Sequence, residues 1–391
     1  MEQCNAIIKN EKQIVLGKIM EKQYTVNTVP CLTWNWIKSN RDLVVINSQF
    51  SQSDGKYEKI PSGIKITQEL PKIDFKNSGI FNLPDKKYGD EIKLKQNTKI
   101  FDEAKKSKEE LLQLIKDTIK NPQNFEISEK ISEPFILTFN EKNNSISVQT
   151  FYAKKDSEST IILIYGKEIQ NQIIQTKIFA EENAKIHLIK VQLLNENANQ
   201  LDDTQIIAND NAKISFTQIE LGGKHIDSGI HTTLSGYKSS FYSDVAYISQ
   251  KEQYLDMNHI VYHYGKRTEC DMQVNGTVKD NAFKTYRGII DFKNGCSGSK
   301  GNELEQTLLL SPNLNNKSMP VILCDEEDVE GEHGATLGRL SSDILFYMQT
   351  RGIEPKTAEK IMSRAKIQAA MDKIPDEKTK DLITNWLDKN I

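Results

Sequence analysis

Asn183-Ala184-Lys185-Ile186 returns as Asn211-Ala212-Lys213-Ile214, and starts of similar polar-small-polar character follow at Lys238-Ser239-Ser240-Phe241 and Lys266-Arg267-Thr268-Glu269. The starts lie 28, 27 and 28 residues apart. After them, β-branched and aromatic residues alternate with polar ones, as in KIHLIKVQLL (185–194), KISFTQIEL (213–221) and HIVYHYG (259–265). A period of two sends alternate side chains to opposite faces of a strand. A near-constant step with the same strand pattern is what stacked rungs of a solenoid produce, because one rung cannot bury its apolar face alone. The expected fold is mainly β, with a β-helix core. A large β-sandwich with coincidental spacing is the competing architecture.

Outward from the repeat, the same texture runs from about Phe135 to Leu323, so the core is assigned to residues 131–338. The N-terminal region, 1–130, reads as helical and irregular. Helical periodicity marks 11–20 (EKQIVLGKIM) and 101–120, where Ala104, Leu111, Leu112, Ile115 and Ile119 share a side. Residues 50–96 are rich in Ser, Gly, Pro, Asn and Lys and read as irregular with a few strands. The C-terminal region, 339–391, is helical. Ser341 or Ser342 can cap a helix through DILFYMQTR that Gly352 stops. A second helix begins at Pro355, with Ala358, Ile361, Met362, Ala365 and Ala369 on one side, and a last one carries Leu382, Ile383, Trp386 and Leu387.

The totals exclude several function classes. The 391 residues carry 51 basic and 54 acidic side chains, a net charge of -3 that gives no chain-wide attraction to nucleic acid or anionic lipid. No apolar run is long enough to span a bilayer. The start, MEQCNAIIKNEKQ, has neither signal-peptide nor transit-peptide character, and the expected location is cytoplasmic. Five scattered cysteines with no CxxC pair point to reduced thiols and against a closed structural zinc site.

The densest chemical segment is Cys324 to Thr336, CDEEDVEGEHGAT, with a thiol, several carboxylates and an imidazole. Thiolate and imidazole suit iron, zinc or Cu(I). If the stretch is extended, Glu330 and Glu332 share one face and His333 takes the other. A solvated acidic turn with one incidental histidine explains the same residues. His259 and His263 share a strand face; Cys270 and Cys296 read as buried small apolar groups. Gly222-Gly223-Lys224 lacks the glycine that opens a phosphate-binding loop, so no ATP site is expected.

The segment MPVILCDEEDVEGEHGATLGRLSSDILFYMQTRGI (319–353) resembles the C-terminal signature of the SufB/SufD family of iron–sulfur cluster assembly proteins, through HGAT, then G-x-L, LFY and RGI. YHYGKRTECDMQVNGTVKDNAFKTYRGII (262–290) also looks like the family's core, and PCLTWNWIKSN (30–40) is similar more weakly. The resemblance implies a right-handed parallel β-helix flanked by helical segments. It further implies a SufB–SufD heterodimer, and two copies of the SufC ATPase held by C-terminal helices.

Where the SufB branch has a cysteine shortly before the position of Pro320, residues 313–318 here read NLNNKS, and where it reads EHEAT this chain has Gly334. Both features favour the SufD branch. The resemblance then makes His333 the ligand offered to a nascent iron–sulfur cluster shared with SufB. Glu332 and Cys324 are further candidates. Phe346, Tyr347, Arg351, Gly352 and Ile353 are the candidate SufC contacts. The implied role is a scaffold and not an enzyme. A reduced flavin is compatible with the resemblance at the level of the complex, and the sequence itself does not show one. The alternatives are a divergent SufB-like homodimer, a β-helix enzyme acting on polysaccharide through the carboxylates of Asp325–Glu332, and a solenoid that only mediates association.

Overall fold

The computed structural model describes residues 21–29, 41–47, 49–75, 80 and 91–391. The helix expected over 11–20, the segment 30–40, Cys4 and Cys31 lie outside the described residues. Strands β1 (Glu21–Val26) and β2 (Asp42–Asn47) pair antiparallel. The short strands β3 (Ser51–Gln52) and β4 (Ile64–Thr67) precede helix α1 (Glu91–Thr118), which starts ten residues earlier than the amphipathic pattern suggests.

From there the chain is strand after strand: β5 (Gln123–Ile127), β6 (Phe135–Phe139), β7 (Ser145–Ala153), β8 (Glu158–Tyr165), β9 (Asn171–Ala180), β10 (Lys185–Leu193), β11 (Asn199–Ala208), β12 (Lys213–Leu221), β13 (His225–Leu234), β14 (Ser240–Ser249), β15 (Tyr254–His263), β16 (Glu269–Val278), β17 (Phe283–Phe292), β18 (Ser299–Leu309), β19 (Asn315–Cys324) and β20 (Val329–Gly338). Helices α2 (Ser342–Thr350), α3 (Pro355–Met371) and α4 (Glu377–Asn390) complete it.

Even-numbered strands from β6 to β20 form an eight-stranded sheet; odd-numbered strands from β5 to β19, with β4 and β3 at their start, form a ten-stranded one. Each strand from β7 onward pairs in parallel with the strand two before it, so each turn of the chain contributes one strand to each sheet. This is a parallel β-solenoid of about 8 turns. Parallel pairing across a whole turn is incompatible with the antiparallel ladders of a β-sandwich.

The repeated starts have a backbone cause. Asp156, Asn183, Asn211, Lys238 and Arg267 all have φ between 55° and 61°, the left-handed region that Asn and Asp tolerate best. Each N–H reaches a carbonyl in the next turn of the stack: Asn183 to Asp210, Asn211 to Tyr237, Lys238 to Lys266 and Arg267 to Ser297. Asn183 Nδ2 also donates to Asp156 Oδ1 at 2.8 Å. The ladder shows that the fourth sequence start is out of phase by one. Ser240 stands opposite Glu269, which aligns Lys238 with Arg267 and not with Lys266.

The interior is one apolar column, from Phe125 and Phe135 at one end through Leu188, Phe216 and Met257 to Phe292. Both outer faces are covered, as buried parallel sheets require. α1, β1 and β2 lie on the ten-stranded sheet at Ile146, Val148, Ile173 and Leu201. On α1, Ala104, Leu111 and Ile115 are buried, the face the periodicity predicts. α3 and α4 lie on the eight-stranded sheet, packing Ile367, Ala370, Met371, Ile383 and Leu387 against Ile189, Val191, Ile219 and Ile248. The face expected for α3 is rotated: Ala358 is buried, but Ile361, Ala365 and Ala369 are exposed while Ser363 and Ile367 face the sheet. The small residues of this helix match two faces equally well, and only the apolar outer row of the sheet selects between them.

Polar side chains are enclosed within the stack. Lys190 is ion-paired with Asp202 and donates to Thr204 Oγ1 at 2.7 Å. Beside them Glu220 is fully buried, and burial, reinforced by the charge of Asp202, pushes its carboxyl up to about 8. Below the ordinary carboxylate range both folded and unfolded chains hold this proton. As pH rises towards 8 the unfolded chain has released it while the folded chain retains it, so stability is lost across that interval. Melting temperature is expected to fall from pH 5 to pH 9. Glu220→Gln should remove as much as about 4 kcal/mol of that pH-dependent loss. Melts followed by circular dichroism at four pH values check this, and parallel slopes would remove Glu220 as the cause.

Candidate functional site

β19 and β20 form the last rung. Each ends the hydrogen-bonded order of its sheet, so among the described residues no strand covers their outer edges. On β18 the odd-numbered residues Ser299, Gly301, Glu303, Glu305 and Thr307 point into the stack and are buried. The register sets His333 opposite Glu303 and Glu332 opposite Asn302. His333 therefore continues the inward row at the point where the stack stops, and it is exposed. Glu330 and Glu332 occupy the other row, as the period of two predicts. On the facing sheet Cys324 stands opposite Phe292, also on the inward row and also exposed, with its Sγ donating to the Glu326 carbonyl at 2.9 Å.

These three side chains do not close on one another. Among the described residues the ligand-type side chains that converge as a trio are Asp42, His225 and Asp227, far from the last rung in sequence. His333 thus presents one imidazole at an open end and is not part of a complete ligand set.

Beneath it lies a buried charged layer that sequence reasoning missed. Burial, then the charge of Glu305, pushes Glu303 up to about 8. Its carboxylate lies against the backbone of Gly288, where a Cβ would overlap it. Glu305 is ion-paired with Lys284 and accepts from Ser318 Oγ, and the Lys284 ammonium stands 5.6 and 5.5 Å from the rings of Tyr247 and Tyr286. The signal was present in GNELEQT (301–307): Glu303 and Glu305 have the strand period, and the rung phase turns both inward.

The acidic run has structural work. Glu326 accepts from the Gly295 N–H at 2.8 Å and Asp328 accepts from Ser297 Oγ at 2.6 Å, holding the turn of the preceding rung, while Lys300 pairs with Glu330 at 2.8 Å. Glu326, Asp328 and Glu330 thus each have a partner within the fold. His259 and His263 are core residues. Burial lowers both to about 3, and His263 contacts Thr268 Oγ1 at 2.7 Å and Cys270 Sγ at 3.3 Å. Cys270 and Cys296 are buried, as expected.

After the last strand, Ser341 Oγ accepts from the Ile344 N–H and caps α2. No residue of α2 is buried, and Phe346 and Tyr347 are 68% and 59% exposed. Arg351 stacks over the Tyr347 ring at 5.4 Å. Gly352 (φ +78°) donates to the Gln349 carbonyl and Ile353 to that of Met348, which ends the helix. Gly352 and Ile353 thus shape the turn, and Phe346, Tyr347 and Arg351 are the side chains offered to solvent.

Residues 137–366, from within β6 to most of α3, match the family described as "SUF system FeS cluster assembly, SufBD core domain". The chain belongs to the SufBD core family. The SufBD match covers the solenoid, the last rung and α2, and leaves out the N-terminal cover. Relatives include the iron–sulfur cluster assembly protein SufD of Bacillus subtilis, 25% identical over 166 residues, which is 41% of this chain and 38% of that protein. SufD of Plasmodium berghei is 23% identical over 210 residues, 53% of this chain and 16% of the relative. A chloroplastic SufBD family protein of Arabidopsis thaliana is 25% identical over 130 residues, 33% of this chain and 23% of the relative. The chain thus spans well under half the length of these SufBD relatives, and two of them carry the name of the SufD branch. No described helix is long and apolar enough to cross a membrane.

Proposed function

We propose that this chain is a SufD-type scaffold subunit of the iron–sulfur assembly complex, without catalysis of its own, and that His333 is its ligand for nascent iron and sulfide. One observation carries the reading: the solenoid ends in an uncovered rung whose inward row places an imidazole above a buried acidic layer. A cluster needs several ligands, thiolates above all. A single exposed imidazole fits a site completed by a cysteine of another subunit. Two uncovered strand edges at the same end are a ready template for a partner's edges, and SufB is the partner the family membership supports. The exposed aromatic face of α2 has the character of a docking surface, which we assign to SufC. ATP-driven closure of SufC then moves the two scaffolds and opens the site. The cluster is cargo in this scheme, and a reduced flavin, where required, is held by the whole complex. On this reading we assign the protein to the cytoplasm.

The test is co-expression with SufB and SufC of the same host, followed by size exclusion with iron and sulfide analysis. A three-component complex is expected. His333→Ala should lower its iron and sulfide several-fold while changing stability by less than about 0.5 kcal/mol, since the side chain is exposed. Purification of this chain with no SufC attached, or undiminished iron in the variant, would sink the assignment.

A further inference from the structure

A second group of metal-ligand side chains lies on the outer face of the ten-stranded sheet, under the N-terminal cover. β2 brings in Asp42, and β13 presents His225 and Asp227 two residues apart on its outward row. His225 Nε2 stands 2.9 Å from Asp42 Oδ2 and 3.2 Å from Asp227 Oδ2, and the three ligand atoms lie within 4.8 Å of one another. A ring nitrogen carries at most one hydrogen. Asp42 Oδ2 has hydrogen-bond geometry with Nε2, whereas Asp227 Oδ2, on a side chain with no exposure, has no hydrogen-bond partner. Two carboxylate oxygens therefore converge on a nitrogen that satisfies one of them.

Local charge points the same way. Asp256 neighbours Asp227 in the ladder and pairs with Arg287, and both are buried. Three carboxyl groups, Asp42, Asp227 and Asp256, thus gather around one imidazole and one guanidinium, more acidic than basic groups for a divalent cation to offset. The remaining oxygens are held from outside: Tyr254 OH donates to Asp42 Oδ1 at 2.7 Å, and Asn27 Nδ2 lies 3.5 Å from Asp227 Oδ1. This leaves one oxygen of each carboxylate free to face the imidazole, the outer support that ligating groups require. Tetrahedral coordination at about 2.0 Å separates neighbouring ligand atoms by roughly 3.3 Å, close to the two separations from Nε2. The His225 side chain is 25% exposed, which leaves an entry path.

We propose that Asp42, His225 and Asp227 bind a zinc-class first-row divalent cation through Oδ2, Nε2 and Oδ2, with water in the fourth position. The ion fastens β2 to β13 across 183 residues of chain and so clips the N-terminal cover to the solenoid. This site is separate from His333 and does not depend on the cluster-assembly reading.

The test uses the full chain in a Cys324→Ser, His333→Ala background, which removes the exposed thiol and imidazole of the last rung. The protein is stripped with chelator, titrated with zinc against a chromophoric competitor, desalted and assayed for metal. One zinc equivalent is expected, with affinity lowered at least tenfold by His225→Gln and by Asp227→Asn. Zinc should also raise the melting temperature of the parent but not of His225→Gln. Absence of a retained equivalent in the parent, or equal affinity in the variants, overturns the proposal and leaves an imidazole–carboxylate clasp. If circular dichroism shows Asp227→Asn unfolded, Asp42→Asn decides, and parental affinity in that variant overturns the proposal as well.

Discussion

Lys284→Met is expected to lower the free energy of unfolding by about 3–5 kcal/mol. Lys284 and Glu305 are both without exposed surface and are ion-paired inside the last rungs of the stack. Removing the ammonium leaves Glu305 enclosed without its ion-pair partner and close to a second carboxyl group at Glu303. The cost is that of an orphaned buried carboxyl group and not of one lost contact. Combining Lys284→Met with Glu305→Leu should recover most of the loss, because a well-packed apolar pair substitutes for a buried ion pair at little net cost. Urea denaturation of the two single variants and the double variant measures the coupling. Additive losses would mean that the two groups do not depend on each other.

Gly236→Ala is expected to cost about 3 kcal/mol or more. A Cβ at Gly236 would fall on the backbone of Asn209 and Asp210 in the turn below, and one at Gly265 on the Gly236 carbonyl. The obstacle is backbone on both sides, so a rotamer change cannot relieve it, and the turns must part. Gly338 provides the comparison, since nothing lies within 4 Å of a Cβ there. Gly338→Ala should change stability by less than about 0.5 kcal/mol. Equal denaturation midpoints for the two variants would show that the turns yield.

The fold was readable because its repeat has two independent marks, the strand alternation and the left-handed residue that begins each rung. The reading slipped at Lys266-Arg267 because the steps are unequal. Cross-rung partners are 27 residues apart at Asp156 and Asn183 but 31 at Asp271 and Asn302, and a fixed period loses phase as the turns lengthen. His333 was found through resemblance and not through its spacing. A lone histidine among acids is ambiguous until the rung register shows which row it occupies. The buried layer of Lys284, Glu303 and Glu305 was missed because composition treats charge as surface. The trio at Asp42, His225 and Asp227 joins residues 183 apart, a proximity no local pattern contains. The face of α3 was misassigned for a related reason: its docking is decided by the outer row of a sheet built from distant sequence.

The uncovered last rung also governs how this molecule comes apart. In a stack held by nearest-neighbour contacts an interior rung is gripped from both sides and the final one from a single side. Local unfolding is therefore expected at the ends of the stack, and at this end it takes β19 and β20, the strands that carry Cys324 and His333. If the proposed partner seats on those edges, it supplies the missing neighbour, and association completes the folding of this chain. Under the proposed role, the unpartnered chain is the one whose last rung frays first.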